Sequence, residues 1–373
     1  MDFSYNETQR MLAESLRRLI DTTCTFAHRR QSARHGASFD PALWSTLAEL
    51  GVLGLTVPES YGGFGESAAS QLVVQRELGR GLVLEPIIPA AIATAILSTH
   101  GSAAQREAWL PAISRGERVV TVAYLERQSR YRPGAIETSA AADGAGFRLN
   151  GLKTLVWHGA AAQGYLVSAR LGDAVALFLL PRDTAGLTVT SYPTIDGQQG
   201  ADLALRDVRL PADALIGTPH DGLAALLLGL DHGIAAQCAA AAGAMERLIE
   251  ITTEYLGTRQ QFGKQLATFQ ALQHRVADML VHKEIALSMA FVAAQALDDA
   301  DPASRRRKLA GAKVLTAKAA RFVGQQAVQL HGGMGMTDEL EVGDYFKYLA
   351  MTDVLLGDTD YHMEQYSAAM AAA

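Results

Sequence analysis

The chain has 373 residues, 49% hydrophobic and 19% charged, which is enough for one large or two to three ordinary domains with a sizeable core and excludes a disordered chain. Its net charge of −6 argues against a broad nucleic-acid surface. With Cys24 and Cys238 as the only cysteines, a disulfide framework and a CxxC zinc site are both excluded, and a reducing cytoplasm is the expected compartment.

The opening stretch MDFSYNETQRMLAESLRRLI mixes acidic, polar and apolar residues, with Leu12, Leu16, Leu19 and Ile20 at helical spacing. It predicts an amphipathic helix, not a signal peptide. FDPALWSTLAELGVLGL (Phe39–Leu55) continues the helical pattern, with Asp40 as N-cap and Pro41 in the first turn. PESYGGFGES (Pro58–Ser67) reads as a glycine-rich loop, and ASQLVVQRELGRGL as a helix ending in glycine. Residues 1–115 are therefore expected to form a helical domain.

The pattern changes near Val119. RVVTVAYLE, GFRLNGLKTLVWHG, GYLVSARLGDAVALFLLP and GLTVTSYP are β-rich runs, with Asp143-Gly144 and Asn150-Gly151 read as turns. LALRDVRLPADALIG adds a last strand and loop, so residues 116–217 are expected to form an antiparallel β-domain. Residues 218–373 are helical again. The longest apolar run, Gly222–Met245, is broken by Asp231 and His232 and predicts a buried bundle helix, not a membrane span. Its small-residue stretch AAQCAAAAGAM suits close packing inside a bundle or between subunits equally well.

Three stretches carry possible chemistry. TRQQFGKQLATFQ places Arg259, Phe262, Gly263, Lys264 and Gln270 between two helices. An Arg there can pair with a diphosphate and a Phe can cover an adenine, although an ordinary helical hairpin has the same pattern. QLHGGMGMT offers Gly332, Gly333 and Gly335, whose bare backbone can approach phosphate or simply end a helix. DVLLGDTDYHMEQY gathers Asp353, Asp358, Asp360, His362 and Glu364, but in neither a calcium-loop nor a zinc-helix pattern, so no metal is expected. No GxSxG elbow supports a hydrolase.

Taken with LGVLGLTVPESYGGFG, ELGRGLVLEP, AQREAWLPAISRGE and LHGGMGMTDE in this order, the chain resembles an acyl-CoA dehydrogenase over nearly its whole length. The resemblance implies a mainly α fold: an N-terminal helical domain, a middle β-domain and a C-terminal four-helix bundle. It also implies FAD, an acyl-CoA substrate, an oligomer and electron-transfer flavoprotein as acceptor. On that basis Arg259 and Phe262 hold the adenine and diphosphate of FAD from an adjacent subunit. Gln270, Gln329, Gly332 and Gly333 line the same dinucleotide, and Asp231 matches a family acid near the thioester entrance.

The departures concern the chemistry. The family's base after the glycine motif falls on Leu356, and the alternative base position on the preceding helix falls on Gly233. Asp358 stands where a flavin-contacting Thr is found. The flavin loop TEPxxGSD becomes LERQSRYRP (Leu125–Pro133), and the WITN strand becomes LVWH, with Trp157 in place of a flavin-facing Thr. With HGGMGMT, Tyr345-Phe346-Lys347 and GDTDYH, these changes resemble the small subunits of heteromeric acyl-CoA dehydrogenases, such as that of pimeloyl-CoA dehydrogenase. Such a chain pairs with a homologous subunit, as a heterotetramer, that supplies the base. Two other readings stay open: a self-sufficient homo-oligomer acting on acyl-CoA or acyl-carrier protein with a displaced base, Asp358 ahead of Asp353, Asp360 and Asp231, and a non-catalytic scaffold of the same fold.

Overall fold

The computed structural model describes residues 5–34 and 39–371. The N-terminal part is helical: α1 (Glu7–Thr23), α2 (Phe26–Arg34), α3 (Pro41–Glu49), α4 (Ala68–Arg80), α5 (Ile87–His100) and α6 (Ala103–Ser114). Strands follow: β1 (Val120–Ala123), β2 (Ser139–Asp143), β3 (Gly146–Trp157), β4 (Gly164–Leu171), β5 (Ala174–Pro181), β6 (Leu187–Pro193) and β7 (Gln199–Pro211). The C-terminal part holds α7 (Gly222–Thr258), a short hairpin of β8 (Gln260–Gln261) and β9 (Lys264–Gln265), α8 (Gln270–Ala296), α9 (Pro302–His331), α10 (Val342–Met351) and α11 (Thr359–Ala371).

Local chemistry sets the helix ends. Asn6 caps α1 by accepting from the Gln9 amide at 2.8 Å, and the Gln9 side chain returns the bond to the Asn6 amide at 3.1 Å. This turns Leu16 and Ile20 inward. Asp40 caps α3 through the Ala42 amide at 2.8 Å, with Pro41 in the first turn. The helical pattern read on to Leu55 stops earlier, at Glu49. There Val52 N bonds Leu47 O at 3.0 Å and Gly51 N bonds Ala48 O at 2.9 Å, a Schellman ending that the left-handed Gly51 permits.

The sheet runs β1-β4-β2-β3-β7-β6, with β5 on the other side of β4. It is mixed and not wholly antiparallel: β4 pairs in parallel with β1 and β2 and antiparallel with β5. Asn150-Gly151 also differs from its reading as a turn. It lies inside β3 at a register shift between Leu149 and Gly151 against β7. The Asn150 side chain there bonds Asp207 across the strands at 2.8 and 3.2 Å.

Helix α7 is long and apolar enough to cross a membrane, but 72% of its most apolar window is buried inside the protein. Its small residues serve the interior. A Cβ on Gly243 would lie 1.8 Å from Arg76 O, and one on Gly79 would lie 1.9 Å from Ala240 O, so α4 and α7 touch backbone to backbone. Arg76–Glu246 and Arg80–Glu250 pairs, at 2.7 and 2.6 Å, flank that contact.

Candidate functional site

The two expected base positions, far apart in sequence, meet in space. A Cβ on Gly233 of α7 would lie 3.0 Å from Leu356 Cδ1 and 2.6 Å from Ile92 Cδ1 of α5. Ile92 and Leu356 thus fill the place where either family carboxylate would project, and both are buried. A longer side chain at Gly233 would drive into packed hydrocarbon.

The loop bearing Leu356 is held from behind. Lys313, wholly buried on α9, donates to the Leu355 carbonyl at 2.8 Å and to that of Thr352. His362 of α11 reaches the Leu356 carbonyl through Nε2 at 2.9 Å. Burial pushes the His362 imidazole down to about 4, so it is neutral and Nε2–H is the donor. Burial likewise lowers Lys313 to about 8. Leu356 itself sits in the left-handed region at φ +61, which these clamps enforce.

Asp358 and Asp353 of this segment serve structure. Asp358 Oδ1 accepts from the Tyr361 amide at 2.8 Å and starts α11. Asp353 accepts from the Thr359 amide and hydroxyl at 2.8 and 2.6 Å and pairs with Arg321. Asp360 is exposed on the first turn of α11. Asp231, buried on α7, accepts from Arg305 Nε at 2.8 Å, and burial raises its pKa despite that partner. Among the described residues no cluster of His, Cys, Asp or Glu is suited to a metal.

Across the junction the β-domain presents bulk. Trp157 Nε1 donates to Gln198 Oε1 at 2.8 Å, and His158 Nε2 lies 2.9 Å from the same oxygen. The cavity beside Trp157, lined also by Gln75, Gly79, Glu85, Ala240 and Tyr348, measures about 20 Å³. That is roughly the room of one water and not of a three-ring isoalloxazine. The Leu125–Pro133 loop is fixed by Glu126, whose carboxylate accepts from the Glu137 and Thr138 amides at 2.6 and 3.1 Å and from buried Lys153 at 2.7 Å. Its Tyr131, at the serine position of TEPxxGSD, packs 5.9 Å from Tyr361, and Arg132 pairs with Glu364 at 3.7 Å. The β-domain loop and α11 therefore touch directly.

The opposite end of the bundle is open. At the β8–β9 tip, Phe262 and Gly263 both have positive φ, +54 and +76, as a tight primed turn requires. Phe262 is 87% exposed, its ring edge-on to Phe269 at 6.0 Å. Arg259 and Gln270, flanking the hairpin, are exposed, as is Gln329. Tyr255, one turn before Arg259, stacks on His331 at 4.4 Å, and His331 directly precedes Gly332-Gly333. A Cβ on either glycine would meet nothing within 4 Å. Arg259, Phe262, Gln270, Gln329, Gly332 and Gly333 thus share one end of the α7–α9 bundle.

The sequence matches the acyl-CoA dehydrogenase N-terminal domain over residues 6–117, the middle domain over 121–208 and the C-terminal domain over 220–371. The chain belongs to the acyl-CoA dehydrogenase family. These are oxidoreductases that act on CH–CH bonds with FAD. The chain is 31% identical to the acyl-CoA dehydrogenase FadE12 of Mycobacterium tuberculosis over 80% of each chain. Its fold superposes on the ChsE4-ChsE5 complex of Mycobacterium tuberculosis with TM-score 0.91, at 27% identity over 100% of both chains. It superposes on a Tcur3481-Tcur3483 steroid ACAD variant with TM-score 0.90, at 29% identity over 98% of both.

Ile92, Tyr131 and Lys313 were not legible as site residues. Tyr131 lies within the altered loop LERQSRYRP, and the lysine shows as a charge inside the small-residue stretch AGAKVLTAKAA of α9.

Proposed function

We propose that the chain is the base-lacking subunit of a heteromeric acyl-CoA dehydrogenase that desaturates an acyl-CoA thioester at its α,β bond. The reading rests above all on the filled junction, where Ile92 and Leu356 occupy the room at Gly233. In an acyl-CoA dehydrogenase a carboxylate takes the α-proton, and bound FAD accepts the β-hydride. This chain has hydrocarbon at both carboxylate positions, and the cavity at Trp157 does not fit the flavin ring.

The other end of the bundle does fit part of the cofactor. Arg259 supplies a forked cation for a diphosphate, Phe262 a bare aromatic face for an adenine, and Gly332-Gly333 open backbone. Its role is to complete the FAD site of a homologous partner that carries the base. Apolar side chains left uncovered on α8 and α9 (Leu280, Val281, Ile285, Leu315) are suited to a subunit contact. Likeness to a complex of two named chains and to a steroid ACAD supports a heteromer and favours a steroid-derived acyl thioester. Electron-transfer flavoprotein is the proposed acceptor. A displaced base at Asp358 has little support, since that carboxylate caps α11.

The test is co-expression with a related chain that carries the family Glu, followed by flavin counting and an acyl-CoA panel. One flavin per pair is expected, with turnover only in the complex. Turnover by this chain alone, or one flavin per copy of it, would sink the reading. A flavin-free complex would leave only a scaffold.

A further inference from the structure

Apart from the junction, a cleft of about 260 Å³ lies where α2, the start of α3, the α4–α5 turn, the β6–β7 turn and α10 meet. Phe39, Leu43, Leu82 and Leu84 give it apolar walls. Most of its charged groups are matched: His28 with Asp40 at 2.9 Å, Arg29 with Glu341 at 2.7 Å, and Arg30 with Asp344 at 3.2 Å. Asp196 is satisfied by Thr194 and Gln198. Lys347 on α10 has no hydrogen bond or ion pair among the described residues, and its charge helps hold down the nearby Asp344 carboxyl.

Glu85 closes the cleft on its inner side. It is 9% exposed, lines both this cleft and the small cavity beside Trp157, and has one long contact from another element, the Asp40 amide at 3.4 Å. Burial pushes its carboxyl up to about 7. In the shared cavity Gln75 keeps a buried amide nitrogen without a partner. Around Glu85 stand Cys24 at the end of α1, His28, Arg29 and Arg30 of α2, Asp40 of α3, Asp196 of the β6–β7 turn, and Asp344, Lys347 and Tyr348 of α10.

We propose that this cleft binds a small amphipathic monocarboxylate, its chain on Phe39, Leu43, Leu82 and Leu84, its anion neutralised by Lys347 while Glu85 takes up a proton from solvent. A cationic ligand would meet Lys347 and the α2 arginines, and a neutral one would leave Lys347 unmatched. At about 260 Å³, against about 20 Å³ for the one-water cavity beside Trp157, the cleft has room for a short chain. Hexanoate, with eight heavy atoms, is therefore the probe. A second anion beside Glu85 favours its protonated form, so binding takes up a proton near neutral pH and weakens as pH rises through about 7.

Calorimetric titration of the full-length chain in its purified assembly tests this, with hexylamine and hexanol as controls. Saturable hexanoate binding is expected, with proton uptake read from the buffer dependence of the heat and affinity falling on the order of tenfold from pH 6 to pH 8. Lys347→Met should weaken binding at least about tenfold. Glu85→Gln should keep binding and lose both proton uptake and pH dependence. Wild-type protein that does not saturate with hexanoate, equal binding of hexylamine or hexanol, or unchanged binding by folded Lys347→Met would overturn the proposal.

Discussion

The two ends of the C-terminal bundle have taken opposite courses. At the domain junction Ile92, Leu356, Trp157 and Tyr131 fill space and the two domains touch. At the hairpin end Arg259, Phe262 and the two glycines expose side chains and backbone that nothing among the described residues covers. A pocket closes by cheap steps, since each added hydrocarbon buries apolar surface. An exposed Phe and an Arg with no partner among the described residues gain little for folding, which accords with the proposed role in a partner's FAD site.

Substitutions can separate the two ends. Arg259→Ala, introduced into the heteromeric complex, should weaken FAD retention most, by about 2–5 kcal/mol, because a charged partner of a phosphate is lost. Flavin retained through gel filtration at low protein concentration measures it, and full retention would break the contrast. Next comes Lys313. Its folded pKa of about 8 lies below the 10.5 of the free side chain, so the unfolded chain holds more protons between those values and stability rises with pH across that window. Against Lys313→Met the wild type should gain about 3 kcal/mol from pH 8 to pH 10.5, an upper figure, read by urea denaturation.

Gly233→Ala should cost about 1–3 kcal/mol through contact with Ile92 and Leu356, lowering the melting temperature without changing flavin content. Trp157→Thr with Tyr131→Ser should move flavin content from one toward two per pair. An unchanged count in a folded double variant would show that these two aromatics are not the obstruction. Phe262→Ala should be the mildest for folding, within about 0.5 kcal/mol, since the ring is 87% exposed. Its effect should fall on FAD affinity instead.

The layout of helices, strands and helices was legible because periodicity changes from 3.6 to 2 and back. Asp40 and Pro41 marked a helix start correctly through local chemistry. Asn150-Gly151 misled, because the same dipeptide that makes a turn also suits a bulge, and only its pairing with β7 decides. That the two expected base positions, Leu356 and Gly233, carry no carboxylate could be read one at a time. That they adjoin, with Ile92 beside them, could not, because Ile92, Gly233 and Leu356 come from three separate elements. Lys313 was hidden for a similar reason. Its burial depends on carbonyls 39 and 42 positions further on, and no local pattern announces them.

Helix α7 carries both regions on one rod. From Gly233, at the closed junction, the helix runs unbroken for 25 positions to Thr258 (258 − 233), and Arg259 follows as its C-cap at the open hairpin. At about 1.5 Å per residue this is a ruler of roughly 38 Å. One residue inserted midway would turn the hairpin about 100° around the axis while advancing it only about 1.5 Å. The composition of either end is thus free to drift, but the count between them is not. An insertion there would point Arg259 and Phe262 away from the cofactor proposed for them with every one of those side chains still in place.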